Sequence, residues 1–350
     1  MSQWKHIYII SRTLAIFFSV CFVGCNSPKT TQLTFTSQSA FGSDSSKTIG
    51  NLQKIDDFYC MKFFGSYEDR LQLLDRWLSE RTDTAFHPDH NADIPIDCSI
   101  FSTVDDSGRV FLGRNLDNKP TGILLAQYNP PGKYRSFAFS RLEDLRIKKD
   151  IKPVALSDDE KTRSLFFPFY PTDGMNEKGL AIGLAGVHGQ RLLPSHAKER
   201  IFVTLFIRRV LDDCATVAEV IEFSKRFDLF DGSKITVSHH FLIADAEGNS
   251  LIIEYNQGEM KYIRKNIGFQ VITNSYVYMR PLESPMKCWR YKSLYNDLVQ
   301  NGKSGGAGEC LHLLQKVYNN SEWSVVYDLK ARRGLFSING DYKRRYEFGF

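Results

Sequence analysis

One cysteine, one arginine and one aspartate are spaced so that a single β-hairpin would bring them together. Cys98 begins one predicted strand, and an Asp-Ser-Gly turn signal at 106–108 leads into a second strand over 109–116. Arg114 and Asp117 lie at the end of that second strand, and the two open ends of an antiparallel hairpin lie side by side. A cation near sulfur favours the thiolate, and a carboxylate can orient a guanidinium or an ammonium group. The spacing indicates a nucleophilic thiol, with a core cysteine beside a structural ion pair as the alternative.

The seven cysteines favour thiol chemistry over a disulfide framework. Cys21 and Cys25 lie in or next to an N-terminal signal, and the five that follow are an odd number. At least one of these five therefore stays unpaired in an oxidising compartment. The chain contains no Cys-x-x-Cys motif and no paired Cys/His pattern of the kind that binds zinc. We expect neither a metal nor another cofactor.

Residues 1–24 have the composition of a secretory signal. A basic segment without acidic residues precedes an apolar run over Leu14–Val23. The run ends at Gly24-Cys25, which resembles the lipobox of bacterial lipoproteins. By that resemblance the signal is removed before Cys25, Cys25 is lipidated, and the protein is exported and anchored to a bacterial membrane, in the periplasm or on the outer surface. An uncleaved anchor, or a cysteine that lies near a signal by coincidence, is the alternative.

The segment 25–97 reads as a tether followed by a leader. Ser and Thr occupy 11 of the 25 positions in 26–50, a composition that predicts disorder. An amphipathic helix is predicted over 67–80, with its apolar stripe starting at Tyr67. The catalytic domain is expected over 98–350.

The remaining elements predict an α+β fold rather than a doubly wound parallel one. Strands come in antiparallel pairs with helices grouped between them. Beyond the first hairpin, the predicted elements are helices over 199–212, 216–228 and 286–300, strands over 240–244, 250–255 and 271–273, and a final hairpin over 323–338.

Composition excludes two classes of function. The net charge is +5, from 45 Lys and Arg against 40 Asp and Glu, and no basic stripe interleaved with aromatic residues is present. The sequence therefore does not indicate nucleic-acid binding. Because no apolar run of 18 residues occurs beyond residue 25, a protein with several membrane spans is excluded.

Five sequence blocks follow one another in 98–350. They are the hairpin 98–117, Asp173–Leu180 (DGMNEKGL), His240–Glu254, Val271–Ser275 and Trp323–Leu329. In residues and order they resemble the choloylglycine hydrolase and penicillin V acylase family of N-terminal-nucleophile (Ntn) amidohydrolases. The resemblance covers most of 98–350 and none of 25–97. It implies a four-layer αββα sandwich, two antiparallel sheets flanked by helices.

The resemblance also implies the roles of five residues. Cys98 would be the nucleophile with its own α-amine as general base, Arg114 would lie against the sulfur, Asp117 would orient the α-amine, Asn274 would donate its side-chain amide to the oxyanion, and Arg290 would be a second arginine of the site. Lys287 is a rival for the last position. A free α-amine requires cleavage of the Asp97–Cys98 bond, which Cys98 itself would perform. Related enzymes with a long leader keep it as a noncovalent subunit.

The expected substrate is an N-acylated small molecule whose linear amide bond is hydrolysed through an acyl-cysteine intermediate. Gly186 stands where the bile-salt enzymes carry an asparagine, so side-chain contacts to a bile acid from that position are lost. An acyltransferase on the same site and a non-catalytic binding lipoprotein are the alternatives. The oligomeric state stays open, a homo-oligomer included.

Overall fold

Two large β-sheets lie face to face in the computed structural model of the chain. The structure describes residues 28–35, 43–70, 97–118, 121–191, 198–231, 236–278, 285–300 and 305–350. The expected signal 1–24, the expected lipidation site Cys25 and positions 71–80 of the expected leader helix lie outside these ranges.

The strands and helices of the described ranges are numbered in chain order. The strands are β1 (Lys29–Gln32), β2 (Gln53–Ile55), β3 (Phe58–Phe63), β4 (Asp97–Val104), β5 (Val110–Asp117), β6 (Ile123–Tyr128), β7 (Ser136–Arg141), β8 (Asp173–Asn176), β9 (Ala181–Arg191), β10 (Glu199–Phe202), β11 (Phe227–Phe230), β12 (Thr236–Ala244), β13 (Ser250–Asn256), β14 (Glu259–Arg264), β15 (Phe269–Ile272), β16 (Ser321–Asp328), β17 (Arg333–Ile338) and β18 (Arg344–Gly349). The α-helices are α1 (Asp44–Gly50), α2 (Asp158–Ser164), α3 (Val203–Asp213), α4 (Val217–Ser224), α5 (Trp289–Gln300) and α6 (Ala307–Lys316).

The first sheet has the strand order β1-β18-β17-β16-β5-β4-β15, and the second has the order β14-β13-β12-β9-β8-β7-β6-β3-β2. Alternate residues of a strand face opposite sides of its sheet. Thus Ile100 of β4 packs between the two sheets, whereas Phe101 packs with Leu294 of α5 on the outer face of the first sheet. On the outer face of the second sheet, Phe206 of α3 packs with Phe241 of β12. These three apolar layers confirm the predicted αββα sandwich.

The predicted hairpins are confirmed. In the turn between β4 and β5, the Asp105 carboxylate accepts hydrogen bonds from the backbone N–H groups of Ser107 and Arg109, at 3.0 and 2.8 Å. Gly108 has φ +75°, a conformation that favours glycine. β12 pairs with β13 and β16 pairs with β17 in the same antiparallel way. The first of these turns holds Cys98 in register with the far end of β5.

The prediction that 26–50 is disordered is wrong in part. Residues 29–32 form β1, which pairs in parallel with β18 through Lys29↔Arg344. Residues 44–50 form α1, whose N-cap Ser43 accepts a hydrogen bond from the Ser46 N–H. Further along the leader, β3 pairs in parallel with β6. The sheets are therefore antiparallel except where the leader joins them, because a strand that arrives by a long connection can run in either direction.

Two predicted helix boundaries are corrected by strand pairing. The helix expected over 199–212 begins only at Val203, because 199–202 forms β10. The helix expected over 216–228 ends at Ser224, because 227–230 forms β11, which pairs with β10 in a small parallel sheet. Among the described residues, no helix is long and apolar enough to cross a membrane.

Candidate active site

Cys98 lies at the start of β4, fully buried between the two sheets. In the β4–β5 register Cys98 lies opposite Leu116, and Arg114 lies opposite Ile100, two positions further on and on the same face. This diagonal arrangement brings Nη2 of Arg114 within 3.6 Å of Sγ of Cys98, and Nη2 donates to the sulfur. The hairpin predicted from the sequence thus places the guanidinium against the thiol.

Arg114 is completely buried, and the second sheet supplies its counter-charge. Its Nη1 donates to the Asp173 carboxylate at the start of β8 and to Oγ1 of Thr172 at 3.1 Å. The same carboxylate accepts hydrogen bonds from Nε1 of Trp323, at 3.1 Å, and from the hydroxyl of Tyr327. A buried charge is stable only when it is paired and hydrogen-bonded. Asp173 is therefore part of the site.

Asp173 is the first residue of the second family block but was not among the predicted site residues. Asp173 could have been inferred from the position of Arg114, which lies on the inner, buried face of a predicted hairpin. A guanidinium in such a position requires a carboxylate from the facing sheet.

Asn274 reaches the Cys98 nitrogen from the other side of β4. Strand β15 runs antiparallel to β4 and pairs with it through Ile272↔Ile100, so Asn274, two positions after the end of β15, lies level with Cys98. The backbone N–H of Cys98 donates to Oδ1 of Asn274 at 3.1 Å. Nδ2 of Asn274 donates to the carbonyl oxygen of Gly186 at 2.8 Å. The Asn274 carboxamide thus connects Gly186 of β9 with the Cys98 nitrogen.

Arg290 of α5 joins three parts of the site. Its Nη1 donates to Oδ2 of Asp117 at 2.7 Å and to the carbonyl oxygen of Cys98 at 3.0 Å, and its Nη2 donates to Oδ1 of Asn274 at 2.8 Å. Oγ of Ser321 donates to the other oxygen of Asp117 at 2.5 Å. The Asp117 carboxylate is thus connected to Cys98 through Arg290, while the Cys98 nitrogen itself donates to Asn274.

Lys287, the rival for the second cationic position, is exposed in the 3-10 turn that precedes α5. Arg290, by contrast, is one of the buried residues of that helix. The structure brings all five predicted site residues together. Arg290, and not Lys287, is the cation whose side chain contacts Cys98, Asp117 and Asn274.

In the uncleaved chain, burial outweighs the effect of the nearby cation on the Cys98 thiol. Burial raises the pKa of the Cys98 thiol above its ordinary value, and Arg114 only partly opposes that rise. Part of the positive charge of Arg114 is offset by its contact with Asp173. The thiol is therefore protonated at neutral pH and needs a base before it can attack a carbonyl.

Neither a metal centre nor a disulfide is found in the parts of the chain that the structure describes. No group of three or more His, Cys, Asp or Glu residues there is arranged to hold a metal ion. None of the five cysteines of those parts forms a disulfide. Two guanidinium groups approach Cys98, that of Arg114 at its sulfur and that of Arg290 at its carbonyl oxygen.

The fold and the site together define an αββα sandwich of the Ntn hydrolase type with a buried cysteine near the start of β4. A sequence profile described as linear amide C–N hydrolases, choloylglycine hydrolase family, matches residues 98–308 and begins at Cys98. This match covers more than half of the chain. The chain belongs to the choloylglycine hydrolase family.

Comparisons with individual proteins agree with this family assignment. The chain is 35% identical over 113 residues to a penicillin V acylase of Pectobacterium atrosepticum, covering 30% of either protein. It is 36% identical over 124 residues to a bile salt hydrolase/transferase of Clostridium perfringens, covering 31% of this chain and 35% of that protein. The matched stretch thus spans about a third of each of these relatives. The solved structure of penicillin V acylase from Agrobacterium tumefaciens shares the fold, with a TM-score of 0.50 and 18% identity over 69% of this chain and 83% of that one.

Proposed function

We propose that this protein is a self-processing cysteine amidohydrolase that cleaves linear amide bonds of N-acylated small molecules. The observation that carries the proposal is the convergence of separate elements on one buried cysteine. Arg114 of β5 donates to its sulfur, Asn274 after β15 accepts from its nitrogen, and Arg290 of α5 donates to its carbonyl oxygen.

Hydrolysis would proceed in two steps. The Cys98 sulfur attacks the amide carbonyl carbon, and the α-amine of Cys98 accepts the thiol proton. Asn274 donates to the oxyanion of the tetrahedral intermediate. The C–N bond then breaks, the leaving amine takes the proton, and an acyl-cysteine remains. Water attacks this thioester, which releases a carboxylic acid and restores the thiol.

Self-processing uses the same sulfur. The Cys98 sulfur attacks the carbonyl carbon of Asp97, the C–N bond of that peptide breaks as the departing nitrogen takes up the thiol proton, and the acyl group is left on sulfur as a thioester. Water hydrolyses the resulting thioester, which leaves a carboxylate on Asp97 and a free α-amine on Cys98. This amine appears where the N–H of Cys98 already donates to Asn274. The general base would thus be generated inside the site.

The leader would stay bound after cleavage. Its strands β1 and β3 belong to different sheets, and each is joined to the catalytic domain by a ladder of backbone hydrogen bonds. Tyr59 and Met61 of β3 are fully buried in the core under α3. Removing the leader would expose this apolar surface to water, at roughly 25 cal/mol per Å². We also propose that the protein is tethered to a membrane by lipidated Cys25.

The acyl group is proposed only as a class. The matched relatives are named penicillin V acylase and bile salt hydrolase/transferase. Gly186 lacks a side chain, so that position offers a bile acid no side-chain contact. An acylated amine other than a bile salt is therefore the preferred substrate.

The test compares wild-type protein with Cys98→Ala on penicillin V, a conjugated bile salt and a long-chain N-acyl amide. We expect the wild type to start at Cys98 by N-terminal sequencing and to hydrolyse at least one of these amides. Cys98→Ala should remain a single chain and be inactive. Turnover by a chain still intact across 97–98 would contradict the mechanism. Faster transfer to an added amine than to water would identify an acyltransferase, and an uncleaved, inactive wild type would indicate a binding protein.

A further inference from the structure

A fully buried histidine and glutamate lie side by side behind the loop that carries Asn274. His240 of β12 and Glu254 of β13 are one step beyond the register pair Phe241↔Ile253 and therefore oppose each other across the two strands. Both side chains have 0% exposure. Nδ1 of His240 lies 2.8 Å from Oε1 of Glu254. The mechanism above uses neither residue.

The other ring nitrogen of His240 holds the start of the loop. Nε2 lies 2.7 Å from the carbonyl oxygen of Thr273. Because a carbonyl oxygen can only accept, Nε2 is the donor in this contact. Thr273 directly precedes Asn274, so this hydrogen bond fixes the peptide from which the Asn274 side chain extends.

Glu254 holds the other end of the same loop. Its two carboxylate oxygens accept the backbone N–H of Val277 at 2.9 and 3.1 Å, and Oε2 also accepts the N–H of Tyr278 at 2.8 Å. The loop 273–278 is therefore tied at both ends to one buried, hydrogen-bonded His–Glu pair. Between the two ties lies Asn274, whose carboxamide contacts the Cys98 nitrogen, the Gly186 carbonyl and Arg290.

We propose that His240 and Glu254 are positioning residues for amide hydrolysis, acting through the loop 273–278 to hold the Asn274 carboxamide at Cys98. This inference rests on the proposed function. An oxyanion donor is effective only when it is already aimed at the place where charge develops, and a displacement of about 1 Å can reduce a rate about 100-fold.

Stability alone does not account for this pair. Burying two polar, ionisable side chains is costly, and an apolar pair of similar volume in the same place is often as stable or more stable. An apolar replacement would, however, give up every hydrogen bond to 273, 277 and 278. Stability and catalysis should therefore respond differently to the same substitution.

The central variant is the double substitution His240→Phe with Glu254→Leu, which keeps the volume of the pair and removes its polar atoms. We expect its melting temperature to fall no further than that of the Gln270→Ala control described below, because the gain in apolar packing offsets part of the cost of the lost hydrogen bonds. Its kcat should fall about 10- to 100-fold while KM changes less than about threefold, because ground-state contacts of the substrate are not altered. Activity is normalised to the fraction of chains cleaved before Cys98, measured by intact mass.

A conservative single variant tests rescue. In Glu254→Gln the side-chain amide can donate to Nδ1 of a neutral His240 while its oxygen still accepts from the loop. Its kcat should therefore stay within about fivefold of wild type, above that of the double variant. A matched control is Gln270→Ala in β15. It removes a buried hydrogen bond that Oγ of Ser250 donates to Gln270, and Ser250 lies at the start of β13, four residues before Glu254. The control should lower the melting temperature and leave kcat unchanged.

The substrate is whichever of penicillin V, the conjugated bile salt or the long-chain N-acyl amide the wild type hydrolyses. If the wild type is active and the double variant has the same kcat, the inference is overturned while the proposed function stands. It is also overturned if the control loses as much kcat as the double variant, since the effect would then be general destabilisation. A wild type that hydrolyses none of the three would overturn the proposed function and this inference with it.

Discussion

Replacing Arg290 separates the two candidates for the second cationic position. Arg290→Lys keeps the positive charge next to Asp117 but removes the planar fork that now reaches Asp117, the Cys98 carbonyl and Asn274 at 2.7, 3.0 and 2.8 Å. A lysine offers a single compact ammonium group in place of that fork. Arg290→Lys should therefore keep the fold and impair catalysis.

The size of the effect follows from the number of contacts that are lost. A hydrogen bond to a charged group contributes about 1.5–3 kcal/mol. If the ammonium of Arg290→Lys keeps the contact with Asp117 and loses the other two, at least about 3 kcal/mol of that stabilisation would be missing from the transition state. Each 1.36 kcal/mol corresponds to a factor of ten, so kcat/KM should fall at least about 100-fold.

A larger change should also affect folding. The Asp117 side chain is only 1% exposed, so Arg290→Met leaves a buried carboxylate without its cation. Breaking a buried pair in this way costs about 3–5 kcal/mol of stability. The control is Lys287→Met, at an exposed position in the turn before the same helix. Its stability should change by less than about 0.5 kcal/mol and its rate by less than about twofold.

The assay measures precursor cleavage on a gel and amide hydrolysis by released amine, with urea unfolding as the stability readout. The reasoning would be refuted if Lys287→Met lost activity while Arg290→Lys kept the wild-type rate. In that case the cation that serves the reaction would come from the turn before α5, and the contacts of Arg290 would be structural only.

Three further predictions follow from other parts of the molecule. Asn274→Ala should lower kcat about 100- to 1000-fold with an unchanged thermal melt, because one oxyanion donor is lost; a rate near wild type would leave Asn274 as a turn residue. Burial raises the pKa of Glu322 from 4.5 to about 7. Between pH 4.5 and 7 the unfolded chain therefore loses this proton while the folded chain keeps it, so the free energy of unfolding should fall as the pH rises through this range. Glu322→Gln should therefore be about 3 kcal/mol more stable than wild type at pH 8 and equal to it at pH 4, as measured by urea unfolding at both pH values. Cys25→Ala should shift the protein from the membrane fraction to the soluble fraction or leave its signal uncleaved, and a variant that stays membrane-bound with a normally cleaved signal would contradict lipid anchoring.

Local patterns predicted the half of the site that lies on one hairpin. The Asp-Ser-Gly turn fixes the register of β4 with β5, and that register alone carries Arg114 to the sulfur of Cys98. Asn274 and Arg290 were assigned through the family resemblance, because no short-range pattern connects residues so far apart in the chain. Asp173 was missed because its contact with Arg114 crosses from one sheet to the other, 59 positions along the chain. A contact of this kind depends on how the sheets stack and leaves no periodic signal.

The leader shows a different limit of sequence reasoning. All four residues of β1 are exposed, and its sequence, Lys-Thr-Thr-Gln, has no apolar alternation. Pattern analysis detects a strand by the face that it buries, and this strand buries none. It is held by backbone hydrogen bonds to β18. Almost any sequence can form such bonds, because every residue except proline carries a backbone donor and acceptor. A polar segment that resembles a tether can therefore still complete the edge of a sheet.

The uncleaved chain holds Cys98 in a state that should be unreactive toward substrate. Its thiol is fully buried, and that burial raises its pKa, so the thiolate is scarce at neutral pH. Its nitrogen is part of a peptide bond and cannot accept a proton. Cleavage converts this nitrogen to a free α-amine. Such an amine has a pKa of about 7.7–8.0 and can take the thiol proton. Activity toward an added amide should therefore rise in proportion to the fraction of chains that begin at Cys98, when both are followed during maturation of a freshly purified precursor. An activity that is already complete before any cleavage would show that another group supplies the base.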